Sequence, residues 1–141
     1  MTLLPSIPVL VIWAGLLVRS DLRHRRLPDG LTVPPAVSAL LVTCWFAPVF
    51  LVPGLAWSLI YLLLAGLTGG GIGGGDIKLA VPLGILATVI GGISGGLLAA
   101  ALSGLLTSVV LVGTGRSSIP HGPAMFAGTL IVLVSAVPGS V

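Results

Sequence analysis

Apolar residues run through this chain in stretches too long and too closely spaced for a water-soluble core. Six such segments stand out, at about 3–19, 31–49, 52–68, 77–93, 96–113 and 124–139. Each approaches the roughly 20 residues that a helix needs to cross a hydrocarbon layer of ~30 Å. The loops between them are short, and neither a soluble domain nor an internal repeat interrupts the series. Hydrophobic residues make up 56% of the chain and charged residues 6%, against about 25% charged in an ordinary soluble domain. Water could not solvate such a surface. The 21 glycines and 11 prolines would break soluble helices, but in a membrane neighbouring helices satisfy the backbone groups they free. The expected fold is an all-α integral membrane protein. It is a single transmembrane domain over residues 1–141, a bundle of about six helices with short loops. The first apolar segment has no Lys or Arg before it and no small-residue cleavage site after it, so it is read as a retained span.

The cations fix an orientation. Arg19, Arg23, Arg25 and Arg26 fall in loop one, Lys78 at the end of loop three and Arg116 in loop five. Loops two and four hold none. Positive charge marks the cytoplasmic side, so odd-numbered loops are expected inside and both termini outside, in a multi-pass protein of the cell (inner) membrane. The net charge of +3 does not indicate nucleic acid, because so few cations on a hydrophobic chain make no polyanion-binding face. Arg23, Arg25 and Arg26 are assigned to topology and to anionic lipid headgroups. The single cysteine, Cys44, excludes an internal disulfide and a CxxC zinc module. Gly91, Gly92, Gly95 and Gly96 serve either close helix approach or a tight external turn.

Acids are scarcer still. The chain has three, Asp21, Asp29 and Asp76, and no glutamate. A carboxylate at a membrane edge costs free energy and is a functional candidate. Asp21 closes the first span and Asp76 opens the fourth, directly after Gly73-Gly74-Gly75. Packing of these spans would bring two carboxylates to one cytoplasmic-side cavity. Two carboxylates around one water can hydrolyse an amide: one takes a proton from the water, and the other polarises the carbonyl and protonates the leaving amine. The glycines permit close backbone approach and leave room for an extended peptide. They lack the Gly-Lys-Ser/Thr ending of a phosphate loop. Asp29 lies in Leu27-Pro28-Asp29-Gly30, a turn from which it would cap span two, the alternative being a direct catalytic or substrate role. Lys78 is either a snorkelling interfacial cation or a contact to substrate or to the acid pair. His24 is interfacial and His121 belongs to loop five or to the mouth of the cavity; without further ligands the two do not make a metal site.

Three segments resemble one family. Asp21 with Leu27-Pro28-Asp29-Gly30-Leu31-Thr32-Val33-Pro34 is similar to the first-aspartate motif of the type IV prepilin peptidases. Gly73-Gly74-Gly75-Asp76-Ile77-Lys78-Leu79 is similar to their Gly-x-Gly-Asp-Phe-Lys-Leu motif. Ile119-Pro120-His121-Gly122-Pro123 resembles their late Ile-Pro-Phe-Gly-Pro segment, with His121 in place of the aromatic residue. The resemblance implies a membrane aspartic endopeptidase that removes a short basic leader from pilin-like precursors on the cytoplasmic side, in type IV pilus assembly or protein secretion. It gives Asp21 and Asp76 the catalytic roles, with Pro28, Asp29, Gly73, Gly75, Lys78, Pro120, Gly122 and Pro123 as supporting motif residues. Larger members carry an insertion with zinc-binding CxxC pairs and methylate the new N-terminus. This chain lacks that insertion and resembles the small, peptidase-only type, for which neither a metal nor any other cofactor, nor methyl transfer, is expected. The expected partners are pilin-like precursors and membrane lipids, with the oligomeric state open. The competing functions are an ion- or proton-coupled transporter subunit and a non-catalytic membrane assembly factor.

The helix macrodipole favours charge on Asp76 at a helix start and disfavours it on Asp21 at a helix end, by roughly 0.3–1 kcal/mol each. On that basis Asp76 is the resting carboxylate and Asp21 the resting acid, an order that the nearby arginines oppose.

Overall fold

A computed structural model describes residues 7–136. The beginning of the first expected span and the end of the sixth lie outside the described residues, as do both termini. Among the described residues all regular structure is helical. Helix α1 is Ile7–His24 and α2 is Asp29–Phe46. A 3-10 turn, Pro48–Phe50, leads into α3, Leu51–Leu67, which is followed by α4, Gly74–Thr114, and α5, Gly122–Ala136. Three stretches are long and apolar enough to cross a membrane: Asp29–Phe46, Pro48–Leu67 and Gly74–Thr114. Large apolar side chains such as Trp45, Phe46, Val49 and Val52 are exposed around the α2–α3 turn. Such a surface suits lipid rather than water.

The helix count corrects the expectation of six. Among the described residues there are five helices, because the segments expected at 77–93 and 96–113 belong to one 41-residue helix, α4. That helix is broken at Gly92, whose φ of 69° and ψ of −171° are not helical and lie in a region open almost only to glycine. The break reverses the chain. A Cβ placed on Gly96 would lie 3.7 Å from the carbonyl oxygen of Gly84, although residues twelve apart on a straight helix are separated by about 18 Å. The two legs therefore pack side by side. Gly95 and Gly96 make the contact, since a Cβ on the former would sit 2.7 Å from Ala87 O and one on the latter would collide with Thr88 Oγ1. The glycine cluster thus supplies both the turn and the close approach.

Helix α2 carries Pro34 and Pro35 in its interior. A proline has no N–H, so Pro35 leaves the Leu31 carbonyl, one turn earlier, without its helical donor. Trp13 of α1 supplies the missing bond, its Nε1–H donating to Leu31 O at 2.7 Å. The same indole packs edge-on against Phe126 of α5, with ring centroids 5.4 Å apart. One side chain so joins α1 to α2 and α5. The core beneath it is built from Leu17, Leu79, Leu83, Met125 and Val132, all fully buried or nearly so. On the other side of α4, Gly54 and Gly84 let α3 approach closely, for a Cβ on Gly84 would collide with the Gly54 carbonyl oxygen.

Candidate active site

Asp21 sits in the last turn of α1 and is 5% exposed. The Arg25 N–H donates to the Asp21 carbonyl oxygen at 2.9 Å, and Arg25 itself takes a left-handed φ of 50°, uncommon for a residue with a Cβ. This bend ends α1 and turns the chain toward α2. Asp76 lies in the first turn of α4 and is half-buried. The N–H groups of Asp76 and Ile77 donate to Gly73 O at 3.0 and 3.3 Å, which fixes the helix start. The start of α5 completes the arrangement. The Gly122 N–H donates to Asp21 Oδ2 at 2.8 Å, and a Cβ on Gly122 would stand 2.7 Å from that same oxygen. Only glycine lets this backbone come so near.

Two cavities meet at the acids. The first, of about 480 Å³, is lined by Asp21, Asp76, Tyr61, Thr107 and His121 among others. The second, of about 640 Å³, has Asp21 and Asp76 on its wall together with His24, Pro28, Asp29 and Gly73. Asp21, Arg25 and Asp76 border both. The two carboxylates thus stand where the cavities adjoin, near enough for the charge of one to act on the other.

The other expected residues separate into distinct tasks. Asp29 does not cap α2: Pro28 occupies the cap position with no side-chain bond, and Asp29 is the first helical residue. Its carboxylate instead accepts from Lys78 Nζ at 2.6 Å. Lys78 therefore ties the start of α4 to the start of α2 rather than only snorkelling. Gly75 gives close packing, since a Cβ there would meet Leu27 Cβ at 2.8 Å, whereas Gly73 borders the second cavity. Pro120 borders the first cavity, and Pro123 lies in the first turn of α5, where a missing N–H costs little. Among the described residues no three His, Cys, Asp or Glu side chains group to hold a metal ion.

A family model, the type IV leader peptidase family, matches residues 8–112. The chain belongs to this family. No curated protein and no solved structure matches it. The span matched to the type IV leader peptidases includes Asp21 and Asp76 and ends before Ile119–Pro123. It is in that last segment that the site departs most from what the sequence suggested. His121 is held at both ring nitrogens, by Thr107 Oγ1 at Nδ1 (2.5 Å) and by Tyr61 Oη at Nε2 (2.6 Å). Ser103 Oγ lies 3.3 Å from the same phenol oxygen. Burial holds the His121 imidazole below its ordinary value of 6.5. Arg25, expected among lipid headgroups, reaches Ser118 Oγ at 2.9 Å and borders the cavities. Tyr61, Ser103 and Thr107 were not anticipated. Their signals were faint: the only tyrosine of the chain in an apolar segment, and two hydroxyls at i, i+4 on one helix face.

Proposed function

We propose that this type IV leader peptidase is an aspartic endopeptidase of the cell membrane that removes the leader from pilin-like precursors, with Asp21 and Asp76 activating one water. The observation that carries this reading is the pair itself: in a chain with three acids, two from distant helices border the same two cavities. Adjoining cavities give an extended peptide a path on either side of the acids.

The hydrogen bonding divides the roles. A hydrogen bond to a charged group is worth about 1.5–3 kcal/mol, more than the helix macrodipole supplies at roughly 0.3–1 kcal/mol. The Gly122 N–H on Asp21 Oδ2 therefore outweighs the dipole and offsets part of the cost of burying that carboxylate; on this reading Asp21 is the resting carboxylate, the reverse of the order expected from helix ends alone. Asp76 holds the shared proton. Asp21 takes a proton from the water as its oxygen bonds to the scissile carbonyl carbon. Asp76 donates to the carbonyl oxygen. Asp76 then recovers that proton as the C–N bond breaks, and Asp21 passes its own to the departing nitrogen, which returns the pair to its starting state.

The orientation follows from where the cations gather. Arg25 bonded to Ser118 and Lys78 bonded to Asp29 draw loops one, three and five to one end. The positive-inside rule makes that end cytoplasmic, so cleavage occurs on the cytoplasmic side. The test is cleavage of a pilin-like precursor by protein in liposomes. Asp21→Asn and Asp76→Asn keep shape but exchange no proton, and each is expected to slow cleavage by about 10³-fold or more. Cleavage by both variants at the wild-type rate would remove the aspartates from the mechanism.

A further inference from the structure

His121 stands where the Ile-Pro-Phe-Gly-Pro pattern has a phenylalanine, and its surroundings are built for an imidazole. Thr107 Oγ1 lies 2.9 Å from the Ser103 carbonyl oxygen. A carbonyl only accepts, so this contact uses the single hydroxyl proton of Thr107. Toward His121 the threonine oxygen must then accept, and Nδ1 carries the hydrogen. In the neutral ring Nε2 is left with a lone pair, which accepts from the Tyr61 O–H. One neutral tautomer satisfies both contacts of the ring. The ring is thereby pinned to α3 and to the second leg of α4, and the next backbone N–H is the one that Asp21 accepts.

We propose that His121 is a positioning residue: its imidazole, held between Thr107 and Tyr61, sets the Gly122 N–H on Asp21 and so keeps Asp21 the ionised member of the pair. The catalytic consequence rests on the function proposed above; the positioning does not. The titratable and charged groups around the ring are Asp21 and Arg25 from the end of α1, Asp76 from the start of α4 and Tyr61 from α3. Thr107 and Ser103 from the second leg carry no charge. A phenylalanine would fill the same space but leave Thr107 and Tyr61 without this partner, and packing alone would then hold the loop.

The test reads the Gly122 amide directly. His121-Gly122 is the only His-Gly pair in the sequence, so carbonyl-13C histidine with 15N glycine isolates one resonance. Phe-Gly does not occur, so 13C phenylalanine does the same in His121→Phe. In wild type the amide proton is expected downfield, moving upfield as acid protonates Asp21, and in Asp21→Asn it should not titrate. His121→Phe should lose both the downfield position and the titration. Tyr61→Phe keeps the ring and its Thr107 bond, and should show a smaller change of the same sign. It decides the matter if His121→Phe does not fold. In cleavage assays His121→Phe should lower kcat by about tenfold, the rate equivalent of one charge-assisted hydrogen bond. KM should stay near wild type and the acid limb of the kcat–pH profile should move to higher pH.

An unchanged Gly122 resonance in folded His121→Phe, or in Tyr61→Phe where the former does not fold, overturns the proposal, as does a rise in KM with unaltered kcat and pH profile. Should Asp21→Asn cleave like wild type while the Gly122 resonance still responds to His121→Phe, the positioning stands and the two-aspartate mechanism falls.

Discussion

Asp21 is held at one oxygen by a backbone N–H that only a glycine can bring near. The Gly122→Ala variant should therefore lose cleavage more than fold. Its Cβ would occupy the position 2.7 Å from Asp21 Oδ2, displacing the donor, and kcat is expected to fall by about 10²-fold with the thermal midpoint in detergent little changed. His121 makes a prediction about pH. Burial lowers its folded-state value below the ordinary 6.5, so between the two values the unfolded chain binds more protons and stability rises with pH. The contribution is fully present above 6.5 and is lost as pH falls toward the lowered value. Chemical denaturation of wild type across pH 5 to 8 should show this slope, and His121→Phe should flatten it. A wild-type slope no steeper than that of the variant would mean that folding does not lower the proton affinity of His121. The Lys78–Asp29 pair has both side chains exposed, at 44% and 70%, so Lys78→Ala should cost less than about 1 kcal/mol in stability. Scarcity of acids is what singled out Asp21 and Asp76 in the sequence as candidates, and the structure brings them to the same two cavities. Tyr61 and Thr107 were not singled out, because their importance depends on which face of α3 meets the returning leg of α4, and spacing along one chain does not carry that.

At the scale of elements, one irregular residue is made tolerable by a partner on another helix and one by its own lack of a side chain. Pro35 frees the Leu31 carbonyl, and Trp13 restores its bond from another helix. Trp13→Phe keeps an aromatic ring near Phe126 but strands that half-buried carbonyl, which should cost about 1–3 kcal/mol, measured by denaturant unfolding in detergent. A cost near zero would assign the contact to packing alone. Gly92 is the other case. A Cβ there meets nothing within 4 Å, so any loss in Gly92→Ala comes from the backbone angle, about 1–3 kcal/mol. Apolar length alone located the two legs of α4, since each is near the thickness of a bilayer. It did not reveal that the chain would reverse at Gly92 with no loop between the two legs, which is why five helices stand among the described residues where six were expected. The cap assigned to Asp29 failed for a similar reason: Leu-Pro-Asp-Gly specifies a turn, but the competing attraction of Lys78 comes from α4, far along the chain.

For the molecule as a whole, sidedness decides which compartment supplies the substrate. All six cations of the sequence belong to loops one, three and five or their edges, and the Arg25–Ser118 and Lys78–Asp29 contacts place those loops at one end. The first cavity, with both aspartates on its wall, is also lined by Ser117. Loop two, where Val49 is 75% exposed, connects the far ends of α2 and α3. Moving the whole cationic end across the bilayer would work against the positive-inside bias of six charges at once, so one orientation should dominate. Cys44 is exposed and must first be replaced by serine. In that background, Ser117→Cys should resist a membrane-impermeant maleimide in intact cells and react in inside-out vesicles, while Val49→Cys should do the reverse. The opposite pattern would place the aspartates on the outer face and overturn the proposed cleavage on the cytoplasmic side. Equal labelling of both sites in intact cells would mean two insertion orientations, and the cation count would then no longer dictate the side of cleavage.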